Sequence, residues 1–184
     1  MSSNTMSSNT MPSNTMSSNN ASSLTFTPMT QDDFVIFWPT FQAIIADQQT
    51  YAIDPDISYD AAYQLWCQAP KATYVVKDAA GELVGSYYLK ANAAGPGDHI
   101  CNCGYMVTAA ARGKGVARAM CEHSQQIAQT HGFKAMQFNA VVSTNEVAVA
   151  LWQRLGFSIV GTVPNAYRHA TQGLVNTHIM YKLL

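Results

Sequence analysis

From Leu24 onward the apolar positions switch between a spacing of two and a spacing of three to four, and each switch marks an element. Leu24-Thr-Phe-Thr-Pro-Met29 alternates apolar and polar, which predicts a short strand that Pro28 confines to an edge or an end. Thr30 with Asp33 three positions on has the form of a helix N-cap pair, and Phe34, Phe37, Phe41, Ile44 and Ile45 follow at helical spacing. Tyr51 to Ile57 reads as a loop, and Ser58 caps a short second helix through Leu65 and Trp66 that Pro70 ends. Ala72–Val76 and Leu83–Leu89 are β-rich and flank Asp78-Ala-Ala-Gly81, a hairpin turn. A third long strand spans His99 to Val107. The spacing then predicts a helix from Gly115 to His131 with Gly132 past its end, and an inner strand from Phe133 to Val142. Ser143-x-x-Glu146 has the spacing of a capping box. The helix it opens carries Ala148, Leu151, Trp152 and Leu155 on one face and stops at Gly156. Final strands close an α+β domain.

Residues 1–23 lack this patterning. They repeat Ser-Ser-Asn-Thr-Met with period five, carry no charge and have almost no aliphatic bulk, so they cannot bury enough apolar area to offset chain entropy. A disordered tail over 1–23 and a single folded domain over 24–184 are expected. Of the 184 residues 48% are hydrophobic and 11% charged, enough for a substantial core. A net charge of −1 leaves no electrostatic footprint for nucleic acid or an anionic membrane. No apolar run is long enough to span a bilayer and no basic, apolar leader opens the chain, so a cytoplasmic location is expected. Cys67, Cys101, Cys103 and Cys121 fall in regular elements, without the dense spacing of a disulfide framework. His99, Cys101 and Cys103 alternate onto one strand face, but no second cluster completes a ligand set, and no metal is expected.

The chemistry concentrates between Asn102 and Gln125. A strand ends at Val107, a loop of small residues follows, and Arg112-Gly113-Lys114-Gly115-Val116-Ala117 opens a helix. Backbone N–H groups in a first helical turn lack partners and sit at the positive end of the macrodipole, so this glycine-bearing entry reads as an anion cradle, the alternative being an exposed glycine turn before a solvated helix. Arg112, Lys114 and Arg118 add cationic side chains suited to a phosphate-bearing ligand. A P-loop fails on spacing, because Thr108 and Gly115 stand where a glycine and a Ser or Thr are needed; a dinucleotide fingerprint fails because Arg118 stands at its third glycine. Farther on, Asn139 is embedded in the apolar inner strand, where a buried amide needs hydrogen-bond partners; neighbouring backbone is one source of them, but its placement favours a pocket.

Arg112-x-x-Gly115-x-Ala117 resembles the pyrophosphate loop of the GNAT superfamily of acetyl-coenzyme A dependent N-acetyltransferases, whose pattern is Gln/Arg-x-x-Gly-x-Gly/Ala. Asn145-x-x-Ala148-x-x-Leu151-Trp152-x-x-Leu155-Gly156-Phe157 resembles the second motif of that family, with tryptophan in place of tyrosine. The resemblance covers roughly Leu24 to Leu184 and implies the GNAT fold, a mixed and mostly antiparallel sheet flanked by helices. It implies acetyl-CoA as co-substrate, lying between two diverging parallel strands. Its pyrophosphate would meet the amides of Gly113 to Ala117, its thioester carbonyl the N–H of Val107, and its pantetheine Asn145. It also places the loop and helices carrying Tyr51, Tyr59, Tyr63 and Trp66 over the acceptor pocket. The family's usual carboxylate base and tyrosine acid are absent: Asn102 and Trp152 stand there, and neither exchanges a proton at neutral pH.

A closer resemblance runs through His99-x-Cys101-Asn102-x-Gly104, Phe138-Asn139, Thr144-Asn145, Trp152 and Val163-Pro164 to the yeast acetyltransferases of the proline analogue L-azetidine-2-carboxylate. It implies that Asn102 and Asn139 orient a small amino-acid-like acceptor while Asn145 and Trp152 contact the cofactor. Tyr167, Arg168 and His169, in a closing segment that looks instead like a bacterial branch of the family, are placed to meet an acceptor carboxylate, to base the reaction or to anchor a loop. A non-catalytic acyl-CoA-binding module and a protein N-terminal or lysine acetyltransferase are the competing readings. A homodimer joined through the last strands is expected by family analogy.

Overall fold

The computed structural model describes residues 23–184. All but the last residue of the repetitive segment over 1–23, expected to be disordered, lies outside the described residues. The elements in order are β1 (Thr25–Pro28), α1 (Gln31–Ala46), α2 (Tyr59–Tyr63), β2 (Ala72–Lys77), β3 (Leu83–Ala91), β4 (Ile100–Val107), α3 (Val116–Thr130), β5 (Ala135–Val142), α4 (Glu146–Arg154), β6 (Ser158–His169) and β7 (Gly173–Leu183). The strands form one sheet in the order β1-β2-β3-β4-β5-β7-β6. Only β4 and β5 run parallel, as the mixed, mostly antiparallel plan requires. Among the described residues no helix is long and apolar enough to cross a membrane.

Most local signals act as the sequence suggests. The Thr30 side chain accepts from Asp33 N–H while the Asp33 carboxylate accepts from Thr30 N–H, a complete capping box. The Asp78 carboxylate accepts from Ala80 and Glu82 N–H, and Gly81 takes the left-handed conformation (φ 83°) that closes the β2–β3 hairpin. The second helix runs from its Ser58 cap through Leu65 and Trp66 as expected, its last turn, over Gln64–Gln68, being π-helical. One local reading needs correction. Ser143 does not cap α4; Asn145 is its N-cap, its side-chain oxygen accepting from Ala148 N–H at 3.2 Å. Ser143 is held instead by the sheet, its N–H bonding Asn176 O at 2.9 Å, so the helix starts two residues later than a Ser143 cap would set it.

The sheet has a core on each face. Against α1 and α2 lie Phe34, Phe37, Phe41, Trp66 and Met106, all at most 1% exposed. Trp66 is fixed there, its indole N–H donating to the Ser86 hydroxyl at 2.9 Å. The other face packs α3 and α4 through Cys101, Met136, Phe138, Trp152 and Phe157. A buried indole or benzyl side chain removes enough apolar area to contribute roughly 2–3 kcal/mol, so the two clusters hold β4 and β5 rigidly from both sides. The strand alternation that separates them is the one the sequence shows: Cys101 and Cys103 face α3 while Asn102, Gly104 and Met106 face α1. His99 lies just before β4 and is exposed, its Nδ1 bonded to Pro96 O, and no metal-binding cluster of His, Cys, Asp or Glu occurs among the described residues.

Candidate active site

β4 and β5 pair only at Ile100 with Ala135 and Cys101 with Met136, then part. β5 stays with β7, and a register shift between Phe138 and Val141 bends it away from β4. At the point of parting Asn102 acts as a wedge: its Nδ2 donates to Gln137 O on β5 at 2.8 Å, and its Oδ1 accepts from the Tyr88 hydroxyl at 3.2 Å. The ladder to β3 fixes which way the freed backbone of β4 points. Asn92 N–H bonds Ile100 O and Thr108 N–H bonds Val84 O, so even-numbered residues of β4 bond β3 and odd-numbered ones point toward β5. Tyr105 and Val107 therefore present their N–H groups to the gap, two donors about 6–7 Å apart along the strand. Tyr105 O is covered by the Tyr51 hydroxyl, which donates to it at 2.7 Å.

A cleft of about 1230 Å³ passes through this gap from one face of the sheet to the other. On the α3 side it meets the glycine bend. Gly113 (φ 76°) and Gly115 (φ 82°) are left-handed, and a Cβ at either would meet nothing within 4 Å, so the backbone there is open to a ligand. Gly115 caps α3 without a side-chain partner, and the first bond into the helix is Ala119 N–H to Gly115 O. The N–H groups of Gly113, Gly115, Val116, Ala117 and Arg118 thus have no partner among the described residues, whereas that of Lys114 turns inward to Ala111 O at 3.3 Å. The expectation that every amide from Gly113 to Ala117 faces an anion fails at Lys114. Its side chain is also absent from the cleft wall. Arg112 lines the cleft. Arg118 does too, with its Nε paired to Glu122 at 2.9 Å, and Arg154 at the end of α4 adds a cation that sequence reasoning passed over.

The opposite mouth, on the α1 side, is walled by Asp47, Tyr51, Tyr88, Lys90, Asn139 and His169. Asn139 is exposed, not buried in an inner strand, because the cleft opens at the bend in β5. Its Nδ2 donates to Asn92 Oδ1 at 2.7 Å and its Oδ1 accepts from Gln137 Nε2 at 2.9 Å. Tyr167, expected to bind substrate, is buried away from the cleft wall; its hydroxyl donates to Tyr51 O at 3.2 Å and anchors that loop. Tyr59, Tyr63 and Trp66 pack against α1 and one another, leaving Tyr51 as the one of those four aromatics on the cleft wall. His169 accepts from Thr171 N–H at Nδ1 (3.2 Å), so the neutral ring carries its proton on Nε2 and offers a donor, not a base. Tyr88 and Lys90 were missed. Register supplies the signal that would have found them, since they lie opposite Gly104 and Asn102 in the β3–β4 pair.

Trp152 lies on the α4 side of the cleft wall, packed on Tyr105 and Phe138 at ring-centroid distances of 5.2 Å. Asn145 also lines the cleft, but as N-cap its oxygen is committed to Ala148 N–H, which leaves the Nδ2 donors for a ligand. Burial pushes the Tyr88 phenol up to about 12 and the Tyr51, Tyr105 and Cys103 groups well above their ordinary values. All four stay protonated at neutral pH, so Cys103 offers no thiolate for an acyl-enzyme. The arrangement suits direct transfer between two ligands entering from opposite faces.

Comparison with known proteins gives the family and the fold. Residues 36–157 match the model of the acetyltransferase (GNAT) family. N-acetyltransferase aca1 of Schizosaccharomyces pombe is 35% identical over 112 residues, which are 60% of this chain and 54% of that protein, so the match spans about half the relative's length. A GCN5-related N-acetyltransferase from Kribbella flavida superposes with a TM-score of 0.83 at 43% identity, over 88% of this chain and 98% of the other. The fold is also that of yncA from Salmonella typhimurium, whose structure is with its cofactor acetyl-CoA (TM-score 0.75, 18% identity, 89% and 95% of the two chains).

Proposed function

The chain belongs to the GNAT acetyltransferase family, and from that premise we propose that it transfers acetyl directly from acetyl-CoA to the amine of a small, amino-acid-like acceptor. The observation that carries the reading is the free edge of β4 ending at the glycine bend: N–H donors at Tyr105 and Val107, then unpartnered amides at Gly113 and Gly115 to Arg118. Together they match a ligand with a diphosphate at one end and an extended amide-bearing arm. Arg112 and Arg154 neutralise phosphate charge, and Asn145 Nδ2 donates to the arm. Two residues of the α4 side, Trp152 and Leu151, pack against it.

The acceptor enters from the α1 side. Its unprotonated nitrogen attacks the thioester carbonyl carbon, and the oxyanion forms against the β4 edge, where Val107 N–H, with Tyr105 N–H one outward position deeper, stabilises it. Collapse breaks the carbon–sulfur bond and expels the thiolate, the amine proton passes to water and a proton from water reaches the sulfur, so that coenzyme A leaves as its thiol. Asn102 shapes this site from its wedge position more than it donates to the acceptor, since one Nδ2 proton and one Oδ1 lone pair are already engaged. Asn139 has its second amide proton free toward the acceptor mouth. With no base on β4, rate enhancement comes from positioning and oxyanion stabilisation.

Titration calorimetry with acetyl-CoA, followed by thiol release across a panel of small amines, tests the reading. Saturable binding with turnover of amino-acid-like amines is expected. Binding with no turnover of any amine would make the chain an acyl-CoA-binding module, and no binding would overturn the proposal altogether.

A further inference from the structure

The acceptor mouth has a charge pattern that the transfer reaction itself does not require. Its wall carries one ammonium, Lys90, and one carboxylate, Asp47; the arginines of the cleft lie on the cofactor side. Neither Lys90 nor Asp47 is in an ion pair among the described residues, where Lys77 pairs with Asp33 and Arg118 with Glu122. Lys90 is exposed, with its ammonium beside one neighbouring ring. Its Nζ lies 5.3 Å from the centroid of the Tyr88 ring, and its Cα is directly opposite that of Asn102, the residue at the point where β4 and β5 part. The Tyr88 hydroxyl gives its proton to Asn102, so the oxygen's remaining lone pairs face the cleft as acceptors. His169 contributes a donor through Nε2–H. Donors at Lys90 and His169, with acceptors at Asp47 and Tyr88, complement a small zwitterion and leave a neutral or purely cationic amine with an unmatched lysine.

Resting on the acetyl-transfer reading above, we propose that Lys90 is the specificity-determining residue that binds the carboxylate of a free amino acid, with Asp47 receiving its ammonium before deprotonation. The strands supply the register, and the Tyr88 ring supplies the orientation. A charge-assisted hydrogen bond of this kind sets the expected effect, a change in acceptor KM of roughly 10- to 100-fold.

The test is thiol-release kinetics with proline and other L-amino acids, each paired with its carboxamide, in the wild type, Lys90→Gln and Lys90→Arg. In the wild type the amino acids are expected to be favoured over their carboxamides. Lys90→Gln raises KM for amino acids by that factor with little change in kcat, leaves the carboxamides unaffected, and Lys90→Arg recovers most of the loss. A Lys90→Gln effect equal on both series, or a wild type that prefers carboxamides, overturns the inference. Acetyl-CoA affinity, measured on the same proteins by calorimetry, keeps the two readings apart: its absence in the wild type defeats acetyl transfer, whereas its presence with no carboxylate preference defeats only the role of Lys90. If no acceptor turns over, amino-acid binding to the coenzyme A complex supplies the same comparison, and its insensitivity to Lys90→Gln is equally fatal.

Discussion

Gly104→Ala isolates the contact that shapes the acceptor mouth. Gly104 lies on β4 opposite Tyr88, and a Cβ placed there would come within 2.6 Å of Tyr88 Cε1 and 3.0 Å of Cζ. Carbon atoms in contact prefer about 3.5–4.0 Å, so the ring must retreat by roughly 1 Å. It cannot retreat without loss: its far side meets Trp66 edge-on at a centroid distance of 4.9 Å, Trp66 is fully buried, and the Tyr88 hydroxyl holds Asn102 at 3.2 Å. Overpacking of this kind costs about 1–3 kcal/mol, and the strained hydrogen bond adds up to about 1 kcal/mol. At about 2–4 °C per kcal/mol for a domain of this size, the melting temperature should fall by about 2–16 °C. Because the displaced ring lines the acceptor mouth, acceptor KM should rise while acetyl-CoA affinity stays within about twofold of wild type. Thermal denaturation, steady-state kinetics and calorimetry read the three quantities. Truncating the ring with Tyr88→Leu should remove the clash, so Gly104→Ala should cost much less in that background. An unchanged melting temperature together with an unchanged acceptor KM would refute the packing argument.

Gly115→Ala forces a side chain into a left-handed position with empty space around it, so the cost is backbone strain of roughly 1–2 kcal/mol at the anion cradle; calorimetry should show acetyl-CoA binding weakened about tenfold, and unaltered affinity would remove the bend from the binding site. Asn139→Ala breaks the link between Gln137 and Asn92 at the acceptor mouth and should lower turnover far more than acetyl-CoA affinity; equal loss of both would place Asn139 on the cofactor side instead. Partial burial of the Asp33 carboxylate raises its pKa, but hydrogen bonds from Lys77 and Thr30 and the lysine charge outweigh this and hold it below the ordinary value of 3.8. Its stabilisation is therefore complete above the unfolded value and is lost as pH falls through the lower folded value. Asp33→Asn should lower the melting temperature at pH 7 and narrow its deficit to the wild type as the pH drops below about 4; a deficit independent of pH would show that the cap and not the charge matters. Thiol titration should find Cys67, Cys101, Cys103 and Cys121 slow to alkylate natively at neutral pH and fully reactive after unfolding, since all four are free and burial raises the Cys67 thiol to about 12.

The order of elements, the two-faced strand β4 and the glycine bend are legible from residue order because each depends on neighbours within a few positions. Thr30 and Asp33 cap α1 through contacts three residues apart, and Gly115 marks the α3 entry because left-handed backbone is a local preference. Residue type also shows that an asparagine, Asn102, and a tryptophan, Trp152, stand at the two positions where the family resemblance places a carboxylate and a tyrosine. What each side chain does was settled by contacts between residues far apart in the chain. Asn102 and Asn139 look alike in sequence, yet the parting of β4 and β5 makes one a wedge and leaves the other at an open mouth, and a bulge in β5 decides which. Tyr167 and Tyr51 are 116 positions apart, so nothing local could show that the first is consumed in anchoring the second. Lys90 acquires its place from strand register, which pairs it with Asn102 across β3 and β4. Short-range preferences therefore set the elements and the anion cradle, while the long-range pairing of strands chose which polar groups were left free to meet a ligand.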